Sequence, residues 1–323
     1  MNSGNSGRRF ELPEDLREEW MRIESRMQKL VYIPRFLVTS SRQIARLEEG
    51  ATGEALPGVV LSSLCENIRR SGTYQAALYF SAAQLYPSKL EASSELRIRN
   101  MLRWFTPLEI ISIMLMVYFN RYLSMRCPED TWSRINPQLR RDMALGRKVG
   151  LAWDGISPGQ GMLIAGMRRI AQGFLILANK KGDIPTRLIN SGLSDSDYSD
   201  PDKERSICGY SHLAVAAYIT QQCGLGVAMT STLATEKIAA NSSRDTEKGW
   251  HEARRILEQI KLGIPSDTVA RESFLTEAEG RKTLDEYYNK LIGSNDVFSW
   301  INSEKEDVQR ITDHTIVDIS SAK

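Results

Sequence analysis

The sequence predicts an all-α fold, and three observations carry that prediction. Apolar residues recur at helical spacing along most of the chain. Proline follows directly on a capping residue at Thr106-Pro107 and Asn136-Pro137, a pattern that opens helices. No sustained alternating segment, Asn-Gly hairpin turn or internal repeat is present.

Taken in order, residues 1 to about 10 are small and polar and are expected to be disordered. Pro13 then opens a helix whose Leu16, Trp20, Ile23, Met27, Leu30 and Val31 share one face. A second helix is expected over Phe36 to Leu47, ending before Gly50-Ala-Thr-Gly53. Leu61 to Ile68 and Tyr74 to Leu85 read as two more, broken at Ser71-Gly72. Thr106-Pro107-Leu108-Glu109 combines an N-cap, a first-position proline and a glutamate suited to a capping box. The following Ile110 to Phe119 is apolar all round, which places that helix in the middle of the fold.

Asn136-Pro137 reads as the start of a helix reaching about Val149. Gly155 to Gly161 is expected to be a turn, with a buried helix from Met162 to Ala178. An acidic, flexible stretch from Asn190 to Asp202 precedes a helix from Ser211 to Cys223, closed by Gly224. After Asn241-Ser-Ser243 come two or three charged helices. The expected organisation is a helical domain over 11–243, with subdomains at about 12–125 and 127–241 packed along Leu108–Phe119. A charged helical extension, 244–323, follows it.

Composition excludes several classes. The chain is 41% hydrophobic and 25% charged, as ordinary globular proteins are. A net charge of +2 gives no general reason for a polyanion partner, so nucleic acid is not the expected ligand. From Arg244 to Lys323 there are 12 basic and 16 acidic residues, so that region carries −4 and the rest +6. An acidic tail on a basic body is able to fold back on it, or the two are simply differently solvated surfaces. The first residues lack the apolar stretch of a signal peptide. The most apolar run, Ile110 to Phe119, is about half the length that spans a bilayer. Cys65, Cys127, Cys208 and Cys223 are scattered, without C-x-x-C spacing, and read as buried thiols of a reducing compartment. The cytoplasm is the expected location.

The catalytic and metal motifs tested fail on spacing. Gly159-Gln-Gly161-Met-Leu-Ile-Ala-Gly166 misplaces the third glycine of a dinucleotide fingerprint, and no strand precedes it. Asp195 to Asp202 approaches a calcium loop, but Asp200 and Ser206 stand where glycine and a bidentate glutamate belong. His251-Glu252 has no second histidine at the spacing of a zinc protease helix. With only His212, His251 and His314 in the chain, no metal centre or cofactor is expected. Arg140-Arg141 lies opposite an apolar face and is expected to be solvated. Arg168-Arg169 interrupts a core-like run, so each must reach the surface, a carboxylate or an anionic ligand.

Several segments, in this order, resemble the HD-related output domain (HDOD) family. Leu61 to Ala82 resembles its helix–turn–helix segment, and Arg99 to Ile110 resembles the helix and short turn before a long buried helix. Gly161-Met-Leu-Ile-Ala-Gly-Met-Arg-Arg-Ile-Ala171 is similar to the helix that carries the His-Asp doublet in HD phosphohydrolases. Gly209-Tyr-Ser-His212 through Leu225 is similar to the family's histidine-led helix. Ser71-Gly72 in place of Asp-Pro, Phe80 in place of asparagine, Cys223 and Gly226 in place of tryptophan and proline, and Leu233-Ala-Thr-Glu236 in place of a His-His pair mark a divergent member.

The resemblance covers about Gln28 to Ala240. It implies a bacterial, non-catalytic signal-transduction module that works through a protein partner. The doublet position holds Arg168 and Arg169, or Arg169 and Ile170 in the other register, and only His212 persists of the metal set. The region of Arg168, Arg169, Tyr210 and His212 is expected to be either a structural ion-pair site or a vestigial pocket for an anionic, phosphorylated small molecule. The rival readings are a diverged metal-dependent phosphohydrolase and a nucleic-acid-binding helical protein.

Overall fold

A computed structural model describes residues 14–49, 57–93, 97–153, 155–193, 200–234 and 245–261. Among these every regular element is a helix and no strand occurs. The fold is all-α. The expected disordered start, residues 194–199 of the acidic 190–202 stretch and everything after Lys261 lie outside the described residues.

The first half holds α1 (Glu14–Met27), α2 (Arg35–Glu49), α3 (Gly58–Arg69), α4 (Gly72–Leu85), α5 (Pro87–Glu91), α6 (Ile98–Leu102) and α7 (Pro107–Ser124). The second holds α8 (Glu129–Ala152), α9 (Pro158–Ala178), α10 (Ile184–Leu188), α11 (Pro201–Cys208), α12 (His212–Cys223), α13 (Val227–Ala234) and α14 (Asp245–Lys261). The Thr106/Glu109 capping box forms as expected, with the Glu109 amide donating to the Thr106 hydroxyl and the carboxylate accepting from the Thr106 amide.

The centre of the molecule is α9, packed by α7, α8, α12, α13 and α14. By length and composition it would suit a membrane crossing, but its residues are enclosed by these helices. The helix starts four residues earlier than expected. Ser157 caps it, Gln160 closes a second capping box and Pro158 takes the first position, so Gly159 and Gly161 are helical. A run of glycines suggests a turn, but here the missing side chains let helices touch. A Cβ on Gly161 would collide with the Gly146 carbonyl of α8, and one on Gly150 with the backbone at Pro158. The pairing of 146 with 161 and 150 with 158 makes α8 and α9 antiparallel.

Pro137 is likewise not a helix start. It sits inside α8, which runs unbroken from Glu129. An interior proline costs about 3 kcal/mol in hydrogen bonding and steric clash. Burial of Trp132, Ile135, Leu139 and Met143 along the same helix offsets it. The expected halves are joined by one apolar core: α7 lies on α9, and α1 and α2 pack across onto α12. The described part of the charged extension, α14, also joins that core through Trp250, Ala253, Ile256, Leu257 and Ile260.

Candidate functional site

Arg168 and Arg169 lie at mid-length of α9, where both are buried. Adjacent helical positions point in different directions, so the two guanidiniums meet different helices. Arg169 turns to α8, where its Nε donates to Asp142 Oδ2 at 2.6 Å and its Nη1 to Gln172 Oε1 at 3.0 Å. Both side chains of that ion pair are 0% exposed. Arg168 turns the other way, donating through Nη1 to Glu258 Oε1 of α14 at 2.7 Å. Its Nη2 lies 3.1 Å from Nε2 of His212. The sequence choice between surface, carboxylate and anion thus resolves to a carboxylate for each arginine, and neither faces solvent.

His212 opens α12 directly after the N-cap Ser211, whose hydroxyl accepts from the Ala214 amide. Gly209, at φ +86°, makes the left-handed turn that ends α11 and brings Glu204 back against His212. Glu204 accepts the His212 backbone amide at 2.6 Å and lies 2.8 Å from Nδ1. A carboxylate only accepts and a guanidinium only donates, so the ring carries its proton on Nδ1 and offers the Nε2 lone pair to Arg168. Burial holds the imidazole pKa below its ordinary value; Glu204 opposes this, while Arg168 and Arg169 reinforce it. His212 is therefore neutral, and its contact with Glu204 is a hydrogen bond rather than an ion pair.

The chain of contacts continues past Arg168. Burial pushes the Glu258 carboxyl up, but Arg168 and Arg254 outweigh it and hold the group below its usual range. Arg254 Nε donates to Glu258 Oε1 at 2.8 Å, and its Nη1 donates to the Thr232 carbonyl of α13. Glu204, His212, Arg168, Glu258 and Arg254 thus form one network across α11, α12, α9 and α14.

Tyr210 stands apart from this network. It is buried, and its hydroxyl pairs with the Asn179 amide at 2.9 Å. Asn179 is about three turns along α9 from Arg168. Arg140 and Arg141, expected to be solvated, are half-buried.

Four ionisable participants escaped the sequence reading: Glu204, Glu258, Arg254 and Asp142. For Glu204 a signal existed, since Asp200-Pro201 is a cap followed by a first-position proline and starts α11 inside the stretch expected to be flexible. Glu258 and Asp142 carry no local mark; only the packing of α14 and α8 on α9 selects them.

The donors of the two arginines are directed at protein carboxylates, so their first effect is to hold helices together. An anion reaching Arg168 has to displace Glu258, whose carboxylate already takes the Arg168 Nη1 donor and the Arg254 Nε donor. Among the described residues no group of three or more His, Cys, Asp or Glu side chains is placed to hold a metal. Burial pushes the thiols up, Cys208 to about 11 and Cys127 to about 12, so neither is a ready nucleophile at neutral pH. No protein-family model, curated protein or solved structure matches the chain.

Proposed function

We propose that this chain is a cytoplasmic regulatory module that acts through protein–protein contacts, a divergent relative of the HDOD proteins. One observation carries the reading: Arg168, at the doublet position of α9, lies against His212, which leads α12. The resemblance implies a doublet and a histidine in these two helices, and the Arg168–His212 contact supports the register in which Arg168 belongs to that doublet. In an HD phosphohydrolase such groups would activate water on a metal. Here a guanidinium takes the imidazole lone pair and carboxylates take the guanidinium, which supports a structural use of the same position.

The test is metal analysis and phosphatase assay of the purified full-length chain, followed by affinity capture with identification of partners. The expected result is no stoichiometric transition metal, no phosphate release and a stoichiometric protein partner. About one tightly held metal per chain together with turnover would overturn the reading.

A second reading has its own observation, the convergence of Arg168 and Arg254 on one carboxylate oxygen. In that reading a phosphorylated small molecule takes the place of Glu258 and loosens α14. Calorimetric titration of nucleotides against wild type and Glu258→Gln tests it. Binding that tightens in the variant supports it; equal or absent binding in both removes it.

A further inference from the structure

Away from the ion-pair network, α7 and the start of α4 enclose a cleft of about 210 Å³. Tyr74, Val117, Tyr118, Tyr122 and Met125 supply its apolar wall, and among the described residues Arg121 is the one charged residue lining it. Sites for small molecules typically enclose about 300–1,000 Å³, so this cleft suits a bulky side chain better than a cofactor.

The wall is rigid. The Tyr118 and Tyr122 hydroxyls donate to the carbonyls of Tyr32 and Leu30 in the α1–α2 connection. Phe36 meets Tyr74 edge to face. One lining residue is both apolar and open to solvent: Met125 is 73% exposed, against a core in which most large apolar side chains are below 9%. The cleft's edge is cationic. Arg121 bonds the Thr73 hydroxyl, and Arg126 lies over the Tyr122 ring and bonds its hydroxyl.

The chain supplies a segment of complementary chemistry. Beyond Lys261, residues 262–323 hold 12 acidic and 7 basic side chains, a net charge of −5. Within them, Asp296-Val-Phe-Ser-Trp-Ile301 puts two aromatic and two aliphatic residues in a short run, followed by Glu304, Glu306 and Asp307. The 33 residues between Lys261 and Asn295 reach up to about 110 Å, ample for any point on a domain of this size.

The geometry points to this cleft as the docking site of the chain's own Asp296–Asp307 segment, with Trp300 or Phe298 as the anchor and the flanking carboxylates facing Arg121 and Arg126. Buried aromatic anchors dominate such contacts, and rim charges set their register. The segment then covers a surface that a partner peptide of the same acidic, aromatic chemistry would compete for. The inference rests on the cleft and the sequence, and it stands whether or not the regulatory reading holds.

The test places a photo-crosslinking side chain at Met125 in the full-length protein, in an equal mixture of ¹⁵N-labelled and unlabelled chains. Since Met125 is exposed, the substitution leaves the core untouched. The expected product links position 125 to the peptide containing Trp300, within chains of one isotope. Trp300→Ser should then lower the yield about tenfold or more. Mixed-isotope products would assign the cleft to a second copy. Those, crosslinks only elsewhere, no crosslinks, or a yield indifferent to Trp300→Ser would each overturn the proposal.

Discussion

Asp142 and Arg169 meet with both side chains shut off from solvent, and such pairs are asymmetric in their energetics. Removing one partner strands a buried charge, whereas replacing both by apolar groups is close to neutral. Asp142→Ala should therefore cost about 3–5 kcal/mol, while Asp142→Leu with Arg169→Met should recover most of it. Urea midpoints of the three proteins check this, and a single variant within about 1 kcal/mol of wild type would show the pair to be dispensable. His212 gives a second expectation. Its folded pKa is lowered, so below about pH 6.5 the unfolded chain binds a proton that the folded chain resists. Stability is then fully present above that pH and declines as pH falls below it. Glu258, also held low, adds stability above the usual carboxylate range that is lost in stronger acid. His212→Gln, which does not titrate, should flatten the loss between about pH 6.5 and pH 5. An unchanged slope would mean that another group is responsible.

At the level of elements, the α8–α9 crossing is where sequence and packing are most tightly linked. Gly146 and Gly161 let the two backbones touch, and a Cβ at either would meet a carbonyl that cannot move aside. Gly161→Ala should cost more than about 3 kcal/mol, because one methyl group drives whole helices apart. Gly72→Ala, at a position with nothing within 4 Å, should be neutral or stabilising. Thermal unfolding of both variants makes the comparison, and a tolerated Gly161→Ala would show that the crossing can relax. The same glycines explain what was legible in advance. The helical class, the Thr106 cap and the interruption of a core-like run by Arg168-Arg169 follow from local patterns, since spacing and capping are properties of a few adjacent residues. The start of α9 was hidden because glycine reads as a turn until a second helix is seen lying against it. The interior Pro137 misled for the complementary reason, in that tertiary burial overrode a local cost. The carboxylates that complete the site, Asp142 and Glu258, lie 27 and 90 residues from their arginines. No local pattern reports a contact at such separation.

For the molecule as a whole, α14 belongs to the core even though it opens the charged C-terminal region. Trp250, Ile256, Leu257 and Ile260 are buried, and at about 1.5–3 kcal/mol each they contribute roughly 6–12 kcal/mol. Domains have about 5–15 kcal/mol in total, so a chain ending before Asp245 should fail to unfold cooperatively or should aggregate. Circular dichroism melting of that truncation checks it, and an intact cooperative melt would show α14 to be an accessory. Glu19 of α1 raises the same issue from the other end of the chain. Its carboxylate accepts from the Ser211 amide and hydroxyl at the head of α12 and from Arg205 of α11. These contacts join residues 186 and 192 positions apart. At about 5–20 residues per second, a ribosome needs roughly 10–40 s to reach Ser211 after Glu19 has been made. For that interval the first helix exists without its partners, its Trp20, Ile23 and Met27 face uncovered, and the nascent chain depends on being kept from other molecules until its own later half arrives.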